Sequence, residues 1–300
     1  MWFSGDNKKP WWQGIVKYWL SFGPIPKHVA FIMDGNRRYA RRQKYAMLTE
    51  GHYKGFEKLT KVLQWCRELQ VKEVTVYAFS LENFKRDSTE KFSWTKRTIY
   101  KGTMQTDAFS VSEKLVENDI RIRFFGDLKR LSSTLQQNIA KIELFTRKHR
   151  SGIINVCIAY TAQDEIRRAF ARIANGVQKG LLNEADINEC LISQCLDGGT
   201  TTDPDLLIRT SGEARLSDFL LWQCSKCFIY FDDVLWPDYD FWNLCKAVYA
   251  YQRNHVKLKE LNDNCLMNEK LGDGEKVTEF LDWIMEEHLK DLQRISEGVF

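Results

Sequence analysis

Short apolar runs of β type alternate with longer segments of helical spacing along most of this chain, and that alternation restricts the fold more than any other feature. The runs are His28–Met33, Glu73–Ser80, Ile120–Gly126, Ile153–Tyr160, Leu206–Arg209 and Cys227–Phe231. Helical spacing is expected over His52–Gln70, Leu131–His149, Gln163–Lys179, Glu184–Leu196, Ser217–Cys224 and Tyr239–Asn254; in the first of these, Phe56, Leu59, Val62, Leu63 and Cys66 fall on one side. Strands alternating with helices predict an α/β fold, a single domain whose mainly parallel central sheet of about six strands is flanked by helices on both faces. No repeat and no linker interrupts it. The expected organisation is an N-terminal aromatic amphipathic helix in 1–23, the α/β domain in 24–255 and a charged helical tail in 256–300.

Chemistry concentrates where these runs end. In open α/β sheets, ligands bind outside the carboxyl ends of the strands. The first run stops at Asp34-Gly35-Asn36 and gives way to Arg37-Arg38. A glycine there lets backbone N–H groups approach an anion, and a helix starting near Arg37 turns its positive end toward the same place. A carboxylate beside two arginines is a poor phosphate ligand, but it can hold a Mg²⁺ that bridges phosphate oxygens. Asp34 as a turn cap with solvated arginines is the plainer alternative. The second run leads to Asn83-Phe84-Lys85-Arg86, and the fifth to Arg209, Thr210, Ser211, Arg215 and Ser217. Three strand ends therefore carry groups suited to phosphate.

The stretches HVAFIMDGNRR, YAFSLENFKR, LLIRTSGEARLSDFLLWQ and VLWPDYDFW, in that order from about Pro24 to about His255, resemble the cis-prenyltransferases, the undecaprenyl and dehydrodolichyl diphosphate synthases, and among them the eukaryotic dehydrodolichyl type. The resemblance implies repeated condensation of isopentenyl diphosphate onto an allylic starter, farnesyl diphosphate, to make a long cis-polyprenyl diphosphate for dolichol synthesis and protein glycosylation. It assigns Asp34 to Mg²⁺. It assigns Gly35, Asn36, Arg37, Arg38, His52 and Arg86 to the allylic diphosphate, and Arg209, Arg215 and Ser217 to isopentenyl diphosphate. Asn83 matches a residue proposed to assist proton loss, although an amide is a poor base. His52 read without the family is a cap of the helix it starts, and Arg209 and Arg215 read the same way are surface ion pairs. Phe79, Phe84 and Leu63 are candidates for the wall of a tunnel holding the growing chain, or for ordinary core.

The sequence departs from the family pattern in three places. The segment Lys91–Val111 lacks the family's usual helix after the N-F-x-R motif. Homodimeric members carry an acidic residue where this chain has Phe228 and a histidine where it has Ala214. They also end in an R-x-G sequence that completes a neighbour's site, whereas Gln252–Lys257 supplies none. The eukaryotic catalytic subunits resemble this chain in that lack, which implies a Nogo-B-receptor-type partner subunit at the endoplasmic reticulum membrane, peripheral on its cytosolic face. A non-catalytic scaffold subunit is the main rival reading, and a magnesium-dependent phosphohydrolase is a third.

Composition excludes other classes. A net charge of +4 is too mild for a nucleic-acid-binding face. No apolar run approaches the ~20 residues of a spanning helix. The eight cysteines have no regular spacing, and Cys224-Ser-Lys-Cys227 has no nearby histidine to suggest zinc. In the first stretch Trp12, Ile15, Val16 and Trp19 share a helical face. Tryptophan beside lysine suits a bilayer interface, and packing on the domain or a partner fits the same face equally well.

Overall fold

The computed structural model describes residues 10–81, 118–199, 202–266 (side chains to 260) and 274–299. Asn83, Arg86, Phe84 and the divergent Lys91–Val111 segment lie outside the described residues. Six strands, β1 (His28–Ile32), β2 (Glu73–Ser80), β3 (Ile120–Phe125), β4 (Gly152–Tyr160), β5 (Leu206–Arg209) and β6 (Phe228–Phe231), form one sheet in the order β3-β4-β2-β1-β5-β6. Every pairing is parallel. β1, with Val29, Ala30 and Phe31 without exposed surface, is covered on both faces, as the inner strand of a parallel sheet must be.

One face is covered by helices α1 (Trp11–Leu20), α3 (Leu48–Glu68) and α7 (Phe241–Leu266). Phe31, Val74 and Val76 pack there on Leu59, Val62, Leu63 and Cys66 of α3 and on Leu244 and Val248 of α7. α2 (Asn36–Arg42) opens directly after β1, and α4 (Ser133–Thr146) covers β3. Beneath the opposite face, α5 (Ala162–Gln178), α6 (Glu189–Cys195) and α8 (Gly274–Ser296) share a second apolar cluster. α8 seats Phe280 with no exposed surface against Gly176, where even a methyl group would meet the ring at 2.3 Å. The tail therefore packs into the body of the molecule. α7 runs on to Leu266, so the expected border after residue 255 falls inside a helix.

Other expectations change for local physical reasons. The helix expected from His52 begins at Leu48, which puts His52 in its second turn and removes the cap reading. The helix expected over Glu184–Leu196 is broken in two. Asn183 forms a capping box with Asp186, and the Asn188 side chain accepts from Leu191 N at 2.9 Å to start α6 afresh. Ser217–Cys224 is not a helix. Ser217, Asp218 and Leu220 have positive φ, and Asp218 gives its carbonyl to Ala162 N (2.8 Å) and its carboxylate to Gln163 N (3.2 Å), serving the start of α5 instead. In α1 the aromatic residues divide. Trp12, Val16 and Leu20 face the core, with Trp12 stacked on Trp242 at 4.9 Å, whereas Trp11, Ile15, Tyr18, Trp19 and Phe22 are exposed.

Candidate active site

β1 and β5 are neighbours, and the chain leaves β1 toward β2 on one side while β5 enters from the other. Their carboxyl ends thus flank a switch point, the usual ligand position in an open α/β sheet. Asp34 lies two residues past the end of β1. It is held there by its own backbone: Asp34 N donates to Thr210 Oγ1 (3.1 Å), Thr210 Oγ1 donates to Asp34 O (2.9 Å), and Trp236 N donates to the same oxygen (3.0 Å). Gly35 then turns at φ 102°, where a side chain would meet Leu235 Cδ2 at 2.9 Å and Ser211 Cβ at 3.1 Å. This left-handed turn opens α2 at the carboxyl end of β1, and Gly35 N closes onto Asp34 Oδ1 at 2.6 Å.

The facing groups come from β5 and its exit. Arg209, whose side chain is 3% exposed, donates from Nη2 to Asp34 Oδ2 at 3.0 Å and from Nη1 to Ser217 Oγ at 2.7 Å and to the carbonyl of Arg215. Arg38 reaches over the same carboxylate. Its Nη2 lies 3.8 Å from Asp34 Oδ2, donates to Ser211 Oγ at 2.5 Å and pairs with Glu213 at 3.6 Å. Arg215 is exposed and pairs with Glu213 at 3.5 Å, while Arg37 points to solvent. The structure brings together Asp34, Gly35, Arg38, Arg209, Arg215 and Ser217 at one sheet edge. The surface-pair reading fails for Arg209, which is buried, and describes Arg215.

Asn36 lies where α2 and α3 pack closely. Gly51 and Gly55 let α3 lie against the start of α2, because a Cβ at either would fall 2.2 Å from Asn36 O or 2.1 Å from Asn36 Oδ1. His52, half-buried, sits on that same turn. Trp236 locks the contact from the other side by donating Nε1 to Gly55 O at 2.8 Å. Phe79 and Leu63 are buried in the central core. Thr210 and Ser211, expected only as polar groups at the strand end, serve as anchors of Asp34 and Arg38; Glu213 and Trp236 join the site unforeseen, although Glu213 stands in the same LLIRTSGEAR stretch just past the strand that carries Arg209.

The donor set bears on a metal ion. Asp34 offers one half-exposed carboxylate, with Phe228 and Ala214 providing no ligand atoms on their side chains, and among the described residues no group of three or more His, Cys, Asp or Glu converges. That is too little for a structural metal. It fits Mg²⁺, which is usually held by one or two carboxylates plus substrate phosphates and water.

Comparison with known proteins agrees with this architecture. The family model for prenyltransferases of the undecaprenyl diphosphate synthase type matches residues 32–259. The mouse (Mus musculus) protein named dehydrodolichyl diphosphate synthase complex subunit is 45% identical over 252 residues, 84% of this chain and 74% of its own. A tritrans,polycis-undecaprenyl-diphosphate synthase (geranylgeranyl-diphosphate specific) of Thermoplasma volcanium is 40% identical across 83% of this chain and 95% of its own. Among solved structures, lavandulyl diphosphate synthase from Lavandula x intermedia, crystallised with dimethylallyl diphosphate, superposes with a TM-score of 0.70 at 32% identity, over 76% of this chain and 95% of that one. This chain belongs to the cis-prenyltransferase family. Its relatives include dehydrodolichyl diphosphate synthase complex subunits from mammals and the dehydrodolichyl diphosphate synthase CPT3 of tomato (Solanum lycopersicum).

Proposed function

We propose that this chain is the catalytic subunit of a dehydrodolichyl-diphosphate-synthase-type enzyme, condensing isopentenyl diphosphate onto farnesyl diphosphate with cis geometry. The observation that carries the reading is the single edge at which Asp34, Arg38, Arg209 and Ser217 converge, with a buried arginine aimed at a half-exposed carboxylate. An intact Asp34–Arg38 stretch in that geometry favours catalysis over the scaffold reading.

The allylic C–O bond breaks as pyrophosphate leaves, so the site must stabilise charge developing on that leaving group. The N–H groups at the start of α2, with Arg38, are placed to receive the allylic diphosphate. Mg²⁺ held by Asp34 would neutralise phosphate charge as a Lewis acid. Arg209, Arg215 and Ser217 form the second anion pocket, and a planar guanidinium suits bidentate phosphate contact. Two adjacent pockets hold the alkene of one substrate against the reacting carbon of the other, so the reaction becomes effectively intramolecular. Arg209 is paired with Asp34. A diphosphate entering its pocket would compete for that guanidinium, and the Asp34 oxygens so released are the ones that would hold Mg²⁺.

The reading extends to assembly. The mammalian relatives are named as subunits of a complex, and Gln252–Lys257 carries no R-x-G sequence, so we assign this chain a Nogo-B-receptor-type partner. We place it peripherally on the cytosolic face of the endoplasmic reticulum. No helix among the described residues is long and apolar enough to cross a membrane, and the exposed Trp11, Ile15, Tyr18, Trp19 and Phe22 of α1 and its exit suit interfacial contact. The test is incorporation of labelled isopentenyl diphosphate with Mg²⁺ and either farnesyl or geranylgeranyl diphosphate, for the chain alone and with the partner. Long product with the partner and farnesyl diphosphate supports the assignment. No product in any arm refutes it, and phosphate release without isopentenyl diphosphate would mark a hydrolase.

A further inference from the structure

The Ser217–Gln223 stretch is stiff without being regular. Positive φ at Ser217, Asp218 and Leu220 is backbone that persists only where surroundings over-determine it. Phe219, with no exposed surface, stacks on Tyr77 at 4.5 Å. Asp218 is bound to the start of α5 as described. At the near end Ser217 Oγ accepts from Arg209, and at the far end Gln223 Nε2 donates to Glu165 Oε2 at 3.0 Å.

Glu165 is the hub of that far end. It has no exposed surface, its Oε1 accepts from Asp197 N at 2.9 Å, and the Tyr160 hydroxyl donates to Oε2. Asp197 is in turn gripped by Arg168 (2.6 Å to Oδ2), Arg172 (3.2 Å to Oδ1) and Gly126 N (3.0 Å). Two carboxylates, Glu165 and Asp197, thus join the ends of β3 and β4, the first turn of α5 and the exit of α6 to the loop that carries Ser217. None of these groups reaches the site itself.

We propose that Glu165 is a positioning residue: through Gln223 it holds the Ser217–Gln223 loop, and with it the Arg209–Ser217 contact, in the geometry that receives a diphosphate. This rests on the assignment of Arg209, Arg215 and Ser217 to isopentenyl diphosphate. Removing the hub releases the far end of the loop and leaves the Asp218 and Phe219 contacts among its remaining ties, while the Asp34 and Arg38 side of the site keeps its own anchors.

The test is steady-state kinetics of the full chain in the assembly in which the wild type is active. Glu165→Ala is expected to raise the KM for isopentenyl diphosphate by about tenfold to a hundredfold, leaving the farnesyl diphosphate KM within about twofold. Glu165→Gln is expected to restore it, since a neutral amide still accepts from Asp197 N and Gln223 can turn its otherwise unpartnered Oε1 toward the new NH₂ group. Glu165→Ala combined with Ser217→Ala is expected to be no worse than the more damaging single variant, because both act through one loop. A lower kcat with unchanged KM values, or additive losses in the double variant, overturns the proposal. Should Glu165→Ala not fold, Gln223→Ala cuts only the tie to the loop. The same selective KM rise then supports the idea and an unchanged KM sinks it. Arg215→Ala checks the assignment separately. If it moves the farnesyl KM instead, the pockets are exchanged, and non-additivity between Glu165 and Ser217 on that KM still decides the positioning role.

Discussion

Replacing Asp34 by alanine separates what this carboxylate does for the fold from what it does for the reaction. It is the counter-charge of Arg209, 3.0 Å away, and a second guanidinium, that of Arg38, lies at 3.8 Å. Without it, Arg209 keeps two neutral acceptors, Ser217 Oγ and Arg215 O, and its Nε has no hydrogen-bond partner. Stranding one member of a fully buried pair costs about 3–5 kcal/mol. Asp34 is 36% exposed, however, so water enters on its side, and exposed pairs contribute only about 0–1 kcal/mol. The expected loss for Asp34→Ala therefore lies between these limits, about 1–3 kcal/mol, read as a shift of the urea midpoint at unchanged slope. Adding Arg209→Met should recover much of it by removing the stranded charge. Incorporation of isopentenyl diphosphate should fall about a hundredfold to a thousandfold, as expected when charge stabilisation at the leaving group is lost. A urea midpoint that stays put would mean that the pair does not matter to the fold. Incorporation within tenfold of wild type would mean that the metal is held elsewhere.

Further expectations concern the turn, the hub, the tail and the first helix. Gly35→Ala forces a methyl group into positive φ and against Leu235 and Ser211, and should cost about 2–4 kcal/mol in urea unfolding. Burial, reinforced by the charge of Asp197, pushes the Glu165 carboxyl up to about 7 from its ordinary 4.5. The folded chain therefore retains a proton that the unfolded chain has released, so this contribution is full below about pH 4.5 and is lost as pH rises through about 7. Glu165→Gln should accordingly flatten the stability profile over that window and raise stability at pH 8 by about 1–3 kcal/mol, as measured by urea titrations at both ends; a profile as steep as wild type would assign the titration to another group. Phe280→Ala empties the seat on Gly176 and should cost about 3–5 kcal/mol while exposing α8 to limited proteolysis. Trp11→Ser with Trp19→Ser should weaken flotation of the full chain with anionic vesicles and leave its melting temperature unchanged, because both side chains are largely exposed.

Much of this architecture was legible in the residues alone, because the signals involved are local. Apolar runs of strand length bounded by polar groups locate all six strands within a residue or two. A strand ending in Asp34-Gly35-Asn36 or in Arg209-Thr210-Ser211 announces polar chemistry at its carboxyl end wherever the strand lies. Periodicity failed where a side chain was claimed by a distant backbone. Asp218 reads as part of a helix until the N-terminus of α5 takes its oxygens. Trp12 and Trp19 share a helical face until Trp242 and the core take one and leave the other outside. What no local pattern could decide was strand order. Asp34 and Arg209 are 175 residues apart, and only the insertion of β5 beside β1 makes them partners at 3.0 Å. Glu165 carries no signal at all in sequence, since one carboxylate in the first turn of a helix looks like any other. Its place in the molecule follows from burial among Tyr160, Asp197 and Gln223, which only the closed tertiary structure brings within hydrogen-bonding reach.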